Sequence, residues 1–179
     1  MILTRLATHV IFLFLVVLLY RLLADVDKGL AVLMVVLVSV GVAVALSNLL
    51  NRFAPLQLQG GDAYLAAFTR PQIDALTLGS QRFRSAGAIV PLMFWGLWLF
   101  PFGLLVIRST FLPKFLGLLL LVAGTAYVVT SITGIVLPAW RSAMAPYMMP
   151  LYMGEVPIIF WLLIKGAKPT AAHVVPPAR

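Results

Sequence analysis

The sequence predicts an all-α, polytopic membrane bundle with about five transmembrane helices. Two observations carry this prediction: 63% of the 179 residues are hydrophobic while 10% are charged, and the apolar residues form long runs. A soluble protein has an apolar share of roughly half, and a helix of about 20 apolar residues crosses a bilayer. The chain has room for five such helices in a single domain, 1–165, with no separate soluble domain.

The first two predicted spans, 6–23 and 30–50, form a helical hairpin joined by the polar link ADVDKG. A signal peptide is the competing interpretation of the first span. Because Asp25 and Asp27 follow the span in place of a small-residue cleavage site, a retained helix is preferred. Gly41 lies among small residues in the second span, which favours close contact with a neighbouring helix.

The connection 53–83 is too polar to cross a membrane, and we expect two short helices in it at the interface. Asp62 after two glycines indicates a turn and a helix cap, and Pro71 suits the first turn of the second helix. A packed loop without helices is an equal alternative at this stage.

The third predicted span, 85–107, contains Pro91 and Pro101. Each proline removes a backbone hydrogen bond, so the helix should be kinked. Trp95 and Trp98 lie near the middle of the span, away from the usual interfacial belt of aromatic residues. They are candidates for contact with a partner helix or a cofactor, although packing in the core is the favoured interpretation.

The fourth and fifth spans are predicted at 112–137 and 147–164. Thr130 and Gly134 form a small-residue pair on the fourth. Three prolines should bend the first half of the fifth span: Pro146, Pro150 and Pro157. The tail 166–179 is rich in Pro and Ala and is not expected to fold alone.

The charges lie mainly at the ends of the apolar runs and give a formal net charge of +8. Lys and Arg at such positions anchor helices at lipid headgroups, and no basic patch interleaved with aromatic residues indicates nucleic acid. Their density in the links 24–29 and 108–114 places those links and the C-terminus in the cytoplasm of a bacterial cell. The connection 53–83 then faces outward from the cytoplasmic membrane.

Glu155 is the only glutamate in the sequence and lies near the middle of the fifth span. A carboxyl group at this depth must be protonated, paired or in contact with a wet cavity. It either binds a ligand, cation or proton, or accepts a structural hydrogen bond; both interpretations stay open. Its candidate partners are polar residues of the first and fourth spans: Tyr127, Thr130, Ser131 and His9.

Catalytic and metal-binding patterns are not expected from this sequence. Without cysteine it has no disulfide and no thiolate site, and it contains no HExxH, phosphate-binding loop or nucleophile elbow. His9 is favoured as a hydrogen-bonded packing residue over a haem or chlorin ligand. We therefore expect a protein that is not an enzyme and needs neither metal nor cofactor.

Methionines cluster around the fifth span at positions 144, 148, 149 and 153. Methionine adapts to irregular apolar surfaces, so a helix-contact face is favoured over a copper site. The predicted partner-contact residues are therefore Met148, Met149 and Met153, together with the two tryptophans of the third span.

Four stretches resemble a family of small bacterial membrane proteins known as domain of unknown function 4386: LLYRLLADVDKGLAVLMV, NLLNRFAPLQL, FWGLWLFPFGLLVIRSTFLPKFLGLLLLVAG and GEVPIIFWLLIKG. The similarity starts near Leu13 and covers most of the chain. Family members have an additional N-terminal membrane helix, so the resemblance implies a shortened start or a five-helix variant. Glu155 matches the family's glutamate, whereas Arg84 replaces a frequent histidine and the polar residue common near Pro91 is missing. The family implies a fold but no activity.

Two functions remain at this stage. The first is an accessory or structural subunit that packs against another membrane protein or a copy of itself. The second is a small carrier or ligand-binding protein that uses Glu155 and the Thr/Ser/Tyr face of the fourth span. Membrane lipids surround the protein in both cases. A pocket beside Glu155 would favour the second function, and a filled interior with covered outer faces would favour the first.

Overall fold

The computed structural model describes residues 2–60 and 63–167, which fold into helices with no β-strand. The α-helices are α1 Ile2–Leu23, α2 Lys28–Leu50, α3 Phe53–Gln59, α4 Arg70–Gly87, α5 Ile89–Leu97, α6 Leu99–Arg108, α7 Lys114–Val136, α8 Arg141–Tyr152 and α9 Val156–Ile164. Short 3-10 turns occur at Ala63–Ala67, Pro138–Trp140 and Met153–Glu155.

Five helical segments in the described part of the chain are long and apolar enough to cross a membrane: Ile2–Leu23, Lys28–Gln59, Arg70–Arg108, Lys114–Val136 and Pro138–Ile164. The predicted all-α bundle is confirmed, and the chain is a multi-pass membrane protein. Most large apolar side chains on the outer faces stay exposed, as expected where lipid is the solvent.

The hairpin of α1 and α2 is closed by Asp27. Its Oδ1 atom accepts a hydrogen bond from the backbone N–H of Leu30 at 3.1 Å, which caps α2. Its Oδ2 atom pairs with the Arg108 guanidinium at the end of α6. The capping role follows from its position before the helix, whereas the ion pair to Arg108 arises from the tertiary fold.

The helical segment that contains the third span begins at Arg70, where α4 starts, and continues through α5 and α6 to Arg108. Pro71 lies in the first turn of α4, next to a capping box formed by Thr69 and Gln72. The regular α-helix is interrupted at Ala88 and Trp98, each three residues before a proline. These are the places where the two prolines are expected to disturb the helix.

The predicted connection 53–83 therefore holds less loop than expected. Its first helix is α3, the segment around Leu65 is a 3-10 turn with that side chain buried, and its second helix is the beginning of α4. The predicted cap at Asp62 lies outside the described residues, as does the tail beyond Ala167.

The core is built mainly from side chains of α1, α2, α6 and α7, and close backbone contacts lie where α7 crosses α5 and α6. Gly96 and Gly103 face Gly124 and Gly117 of α7 in antiparallel order; a Cβ atom on Gly96 would lie 2.7 Å from the Gly124 carbonyl oxygen. Such glycines let helix backbones approach closely, so packing and not polarity holds this pair together.

Candidate functional site

The polar cluster predicted around Glu155 is partly formed. The Tyr127 hydroxyl of α7 donates a hydrogen bond of 2.9 Å to Oε1 of Glu155. The fifth span is broken here, since Glu155 ends the 3-10 turn Met153–Glu155 between α8 and α9. The predicted fifth span, 147–164, is extended by the structure to the start of α8 at Arg141.

Two more residues complete this cluster. The ring of Tyr152 stacks on Tyr127 with centroids 4.3 Å apart, and its hydroxyl lies 2.6 Å from Oγ1 of Thr130. Sequence reasoning missed Tyr152. The signal that was available is its spacing from Glu155, which places both side chains on one side of the fifth span.

Ser131 and His9 do not join the cluster. The buried Ser131 hydroxyl donates to the Ile89 carbonyl oxygen at 2.8 Å, and it thereby fastens α7 to α5. Nδ1 of His9 lies 2.7 Å from the Arg5 carbonyl oxygen of its own helix. Ser131 is thus a packing residue, and His9 lies in a different part of the molecule.

Gly154 explains how the break approaches α7. A Cβ atom at this position would lie 2.6 Å from the Leu119 carbonyl oxygen, so a larger residue would push the turn away. The small residue before Glu155 therefore brings its carboxyl group within reach of Tyr127.

The predicted partner-contact residues separate into two groups. Met149 and Met153 are exposed on the outer face, and Met148 is half-buried. Trp98 has only 5% of its surface exposed and stacks on Phe102. The structure therefore places Trp98 in the core and not on a partner-facing surface.

A second polar region, which the sequence did not indicate, lies at the N-terminal end of α1. An open cleft of about 1020 Å³ is bounded by α1, α2 and the junction of α4 and α5, with Arg141 at its edge. We call it the arginine cleft. One part of its lining is polar and includes Thr4, Arg5, Thr8, His9, Asn48, Arg52, Arg84, Ser85 and Arg141.

The deeper wall of the arginine cleft is apolar. Phe12 and Trp95 stack with ring centroids 4.6 Å apart, and Ile11, Leu15, Ala45 and Leu92 extend this wall toward the bilayer interior. On α1 the lining runs from Thr4 to Leu15, roughly 16 Å at 1.5 Å per residue. The cleft thus changes from cationic to apolar along its length.

The arginines of the cleft have no acidic partner among the residues that the structure describes. The ion pair found in that part of the chain is Arg108–Asp27, and no acidic side chain is among the described cleft residues. Arg5 and Arg84 are close enough to Arg52 for their charges to act on it. Because these four guanidinium groups have no acidic partner among the described residues, they attract anions to the cleft.

Sequence reasoning treated these arginines as separate interface anchors. Three of them come from α1, α4 and α8, and Arg52 comes from the turn between α2 and α3. They are 32 or more positions apart in the chain. Only the antiparallel packing of the helices brings them to one end of the bundle. No group of three or more His, Cys, Asp or Glu residues that could hold a metal ion occurs in 2–60 and 63–167.

Comparison with known proteins identifies a family but no activity. The family described as a domain of unknown function (DUF4386) matches residues 1–166. A stretch of 76 residues is 36% identical to an uncharacterised protein of Archaeoglobus fulgidus, covering 42% of this chain and 44% of that protein. The match thus spans less than half of this relative. No solved structure matches the chain.

Proposed function

This chain belongs to the DUF4386 family, and we propose that it binds an anionic amphiphile in the arginine cleft. One observation carries the proposal: a single cavity has an apolar wall and, at its rim, arginines without an acidic partner among the described residues. A ligand with a charged head and a hydrocarbon chain satisfies both parts at once.

The charge at the rim favours an acidic headgroup. Arginine stays ionised at any ordinary pH and binds carboxylate or phosphate oxygens through paired N–H groups. Arg52 and Arg84 are half-buried, so their charges are less screened by water than those of exposed side chains. An anion between them relieves their mutual repulsion and adds charge-assisted hydrogen bonds.

The size and apolar wall of the cavity suit the hydrocarbon part of a lipid. Ligand pockets in proteins commonly have volumes of about 300–1000 Å³, and the cleft reaches the upper end of that range at about 1020 Å³. Its aromatic pair Phe12 and Trp95 offers a flat apolar surface for a methylene chain.

The test is native mass spectrometry of the detergent-purified protein with phosphatidic acid, phosphatidylglycerol and phosphatidylcholine of matched chains. We expect retention of one anionic lipid, which R52Q/R84Q reduces about tenfold or more. The matched control is R70Q/R82Q, which removes the same charge from exposed positions of α4 outside the cleft. Equal retention of all three lipids, or equal loss in both double variants, would show only bulk lipid contact.

A second measurement reports where the chain of the lipid lies. Lipids brominated along the acyl chain should quench the fluorescence of Trp95, and the W95F variant should lose that part of the quenching. Quenching that is the same for anionic and zwitterionic brominated lipids would contradict specific binding.

The accessory-subunit role and the small-carrier role centred on Glu155 stay predictions. The outer faces of α8 and α9 carry exposed Met149 and Met153, which suit a partner helix or lipid equally well. Glu155 lines neither the arginine cleft nor a smaller cavity of about 320 Å³ between α7 and α9. The cytoplasmic position of the C-terminus and the bacterial inner membrane likewise stay predictions, and the relative from Archaeoglobus fulgidus is archaeal.

A further inference from the structure

The break in the fifth span places an acidic side chain where no cation faces it from the described elements packed against it. The elements packed against Met153–Glu155 are α7, α8 and α9. Their titratable side chains beside Glu155 are Tyr127 and Tyr152. The charged residues of those elements stand at the ends: Lys114 opens α7, Arg141 opens α8 and Lys165 follows α9.

These charges are too far along the helices to pair with Glu155. At 1.5 Å per residue, Lys165 lies about 15 Å away along the axis and Arg141 about 21 Å away. Lys114 is about 20 Å from Tyr127 along α7 by the same measure. The ion pair in the described part of the chain is Arg108–Asp27, so none of the cations described there pairs with Glu155.

We propose that Glu155 is a proton-binding site in the interior of the membrane. The carboxylate takes up one proton to become a neutral carboxyl group, and its Oε1 atom keeps the Tyr127 hydrogen bond in both forms. An unpaired carboxylate in the bilayer interior is costly, so proton binding replaces the missing cation. This site is independent of the arginine cleft.

The hydrogen bonds of the cluster fit this assignment. Tyr127 donates to Oε1, which a neutral carboxyl accepts through its carbonyl oxygen. The Oε2 atom has no hydrogen-bond partner in the part of the chain that the structure describes, so it is the position for the proton. Thr130 and Tyr152 satisfy each other, which leaves Tyr127 as the side chain that holds the carboxyl group.

The position of the site couples the proton to the shape of the fifth span. Glu155 joins the 3-10 turn to α9, and its side chain reaches across to α7. Loss of the proton creates a charge that attracts water, while the Tyr127 hydrogen bond still holds Glu155 to α7. We therefore expect water to enter beside the turn and change its shape when the proton leaves.

The experiment uses isotope labelling, because Glu155 is the only glutamate in the chain. Glutamate carrying ¹³C in its side-chain carboxyl labels this single group in the full-length protein, provided that the purification tag contains no glutamate. Infrared spectra in lipid nanodiscs should show a protonated carboxyl band at neutral pH that shifts in D₂O. A labelled carboxylate band at neutral pH, with no protonated band, would overturn the proposal.

Two variants separate proton binding from a structural role. Y127F keeps the labelled glutamate and should move the protonated band to higher frequency, because one hydrogen bond to the carbonyl is lost. T130V, which removes the neighbouring hydroxyl pair, should leave the band in place. An unchanged band in Y127F would contradict the assigned contact. This test needs no substitution of Glu155 itself.

Discussion

Tyr127 and Glu155 are joined by a hydrogen bond of 2.9 Å that connects the middle of α7 to the break between α8 and α9. This contact links residues 28 positions apart and ties the most exposed span to the core. Replacing Tyr127 by Phe should destabilise the folded state by about 0.6–1.7 kcal/mol, the range of membrane hydrogen bonds. Reversible unfolding in mixed micelles measures it. If Y127F and Y127F/E155Q differ as much as wild type and E155Q, the two residues do not interact.

The glycine contact between α5 and α7 should be sensitive to a single methyl group. A Cβ atom on Gly96 would lie 2.7 Å from the Gly124 carbonyl oxygen and 2.8 Å from Tyr127 Cβ. We expect G96A to cost about 1–3 kcal/mol, as overpacking does. The control is G79A, where nothing lies within 4 Å of the added atom. Equal free energies of unfolding for G96A and G79A would mean that the close approach of Gly96 to α7 is not needed.

The hydroxyl of Ser131 should contribute more than an ordinary helix hydroxyl. It is fully buried and donates to the Ile89 carbonyl of another helix, so S131A leaves that carbonyl with one partner fewer. We expect a loss of about 1 kcal/mol. Ser47 donates to its own helix at Ala43, and S47A is the matched control. A smaller effect in S131A than in S47A would contradict the role.

Asp27 combines a helix cap with an ion pair, and the two contributions are separable. R108Q removes only the pair, whose Arg108 side chain is 55% exposed, so it should cost below about 1 kcal/mol and less at high salt. D27A also removes the cap of α2 and should cost about 1 kcal/mol more. Thermal unfolding at low and high salt checks both, and equal losses in the two variants would argue against the cap.

The orientation of the bundle is testable because the chain contains no cysteine. A single cysteine replacing Lys28 should react with a membrane-permeant reagent only, and a cysteine replacing Gln59 should also react with an impermeant one. The reason is the high density of Lys and Arg near the first residue, which favours the cytoplasmic side. Labelling of the Lys28 position from outside intact cells would reverse the assignment and turn the arginine cleft inward.

The sequence by itself determined the fold class, the number of spans, the helix interruptions before Pro91 and Pro101, and the family. These depend on local properties: apolar length, missing backbone donors and cap residues act within a few positions of the chain. It also indicated that Glu155 needs a partner, because the cost of a buried carboxyl group does not depend on the fold.

Only the tertiary structure decided which partners meet. It paired Tyr127 with Glu155, stacked Tyr152 on Tyr127, placed the Ser131 hydroxyl on the Ile89 carbonyl, and brought four arginines from three helices and a turn to one cleft. Contacts between helices depend on their packing angles and rotations, which here are set by glycine contacts such as Gly96 with Gly124. That information is spread over distant positions, and no single stretch of sequence contains it.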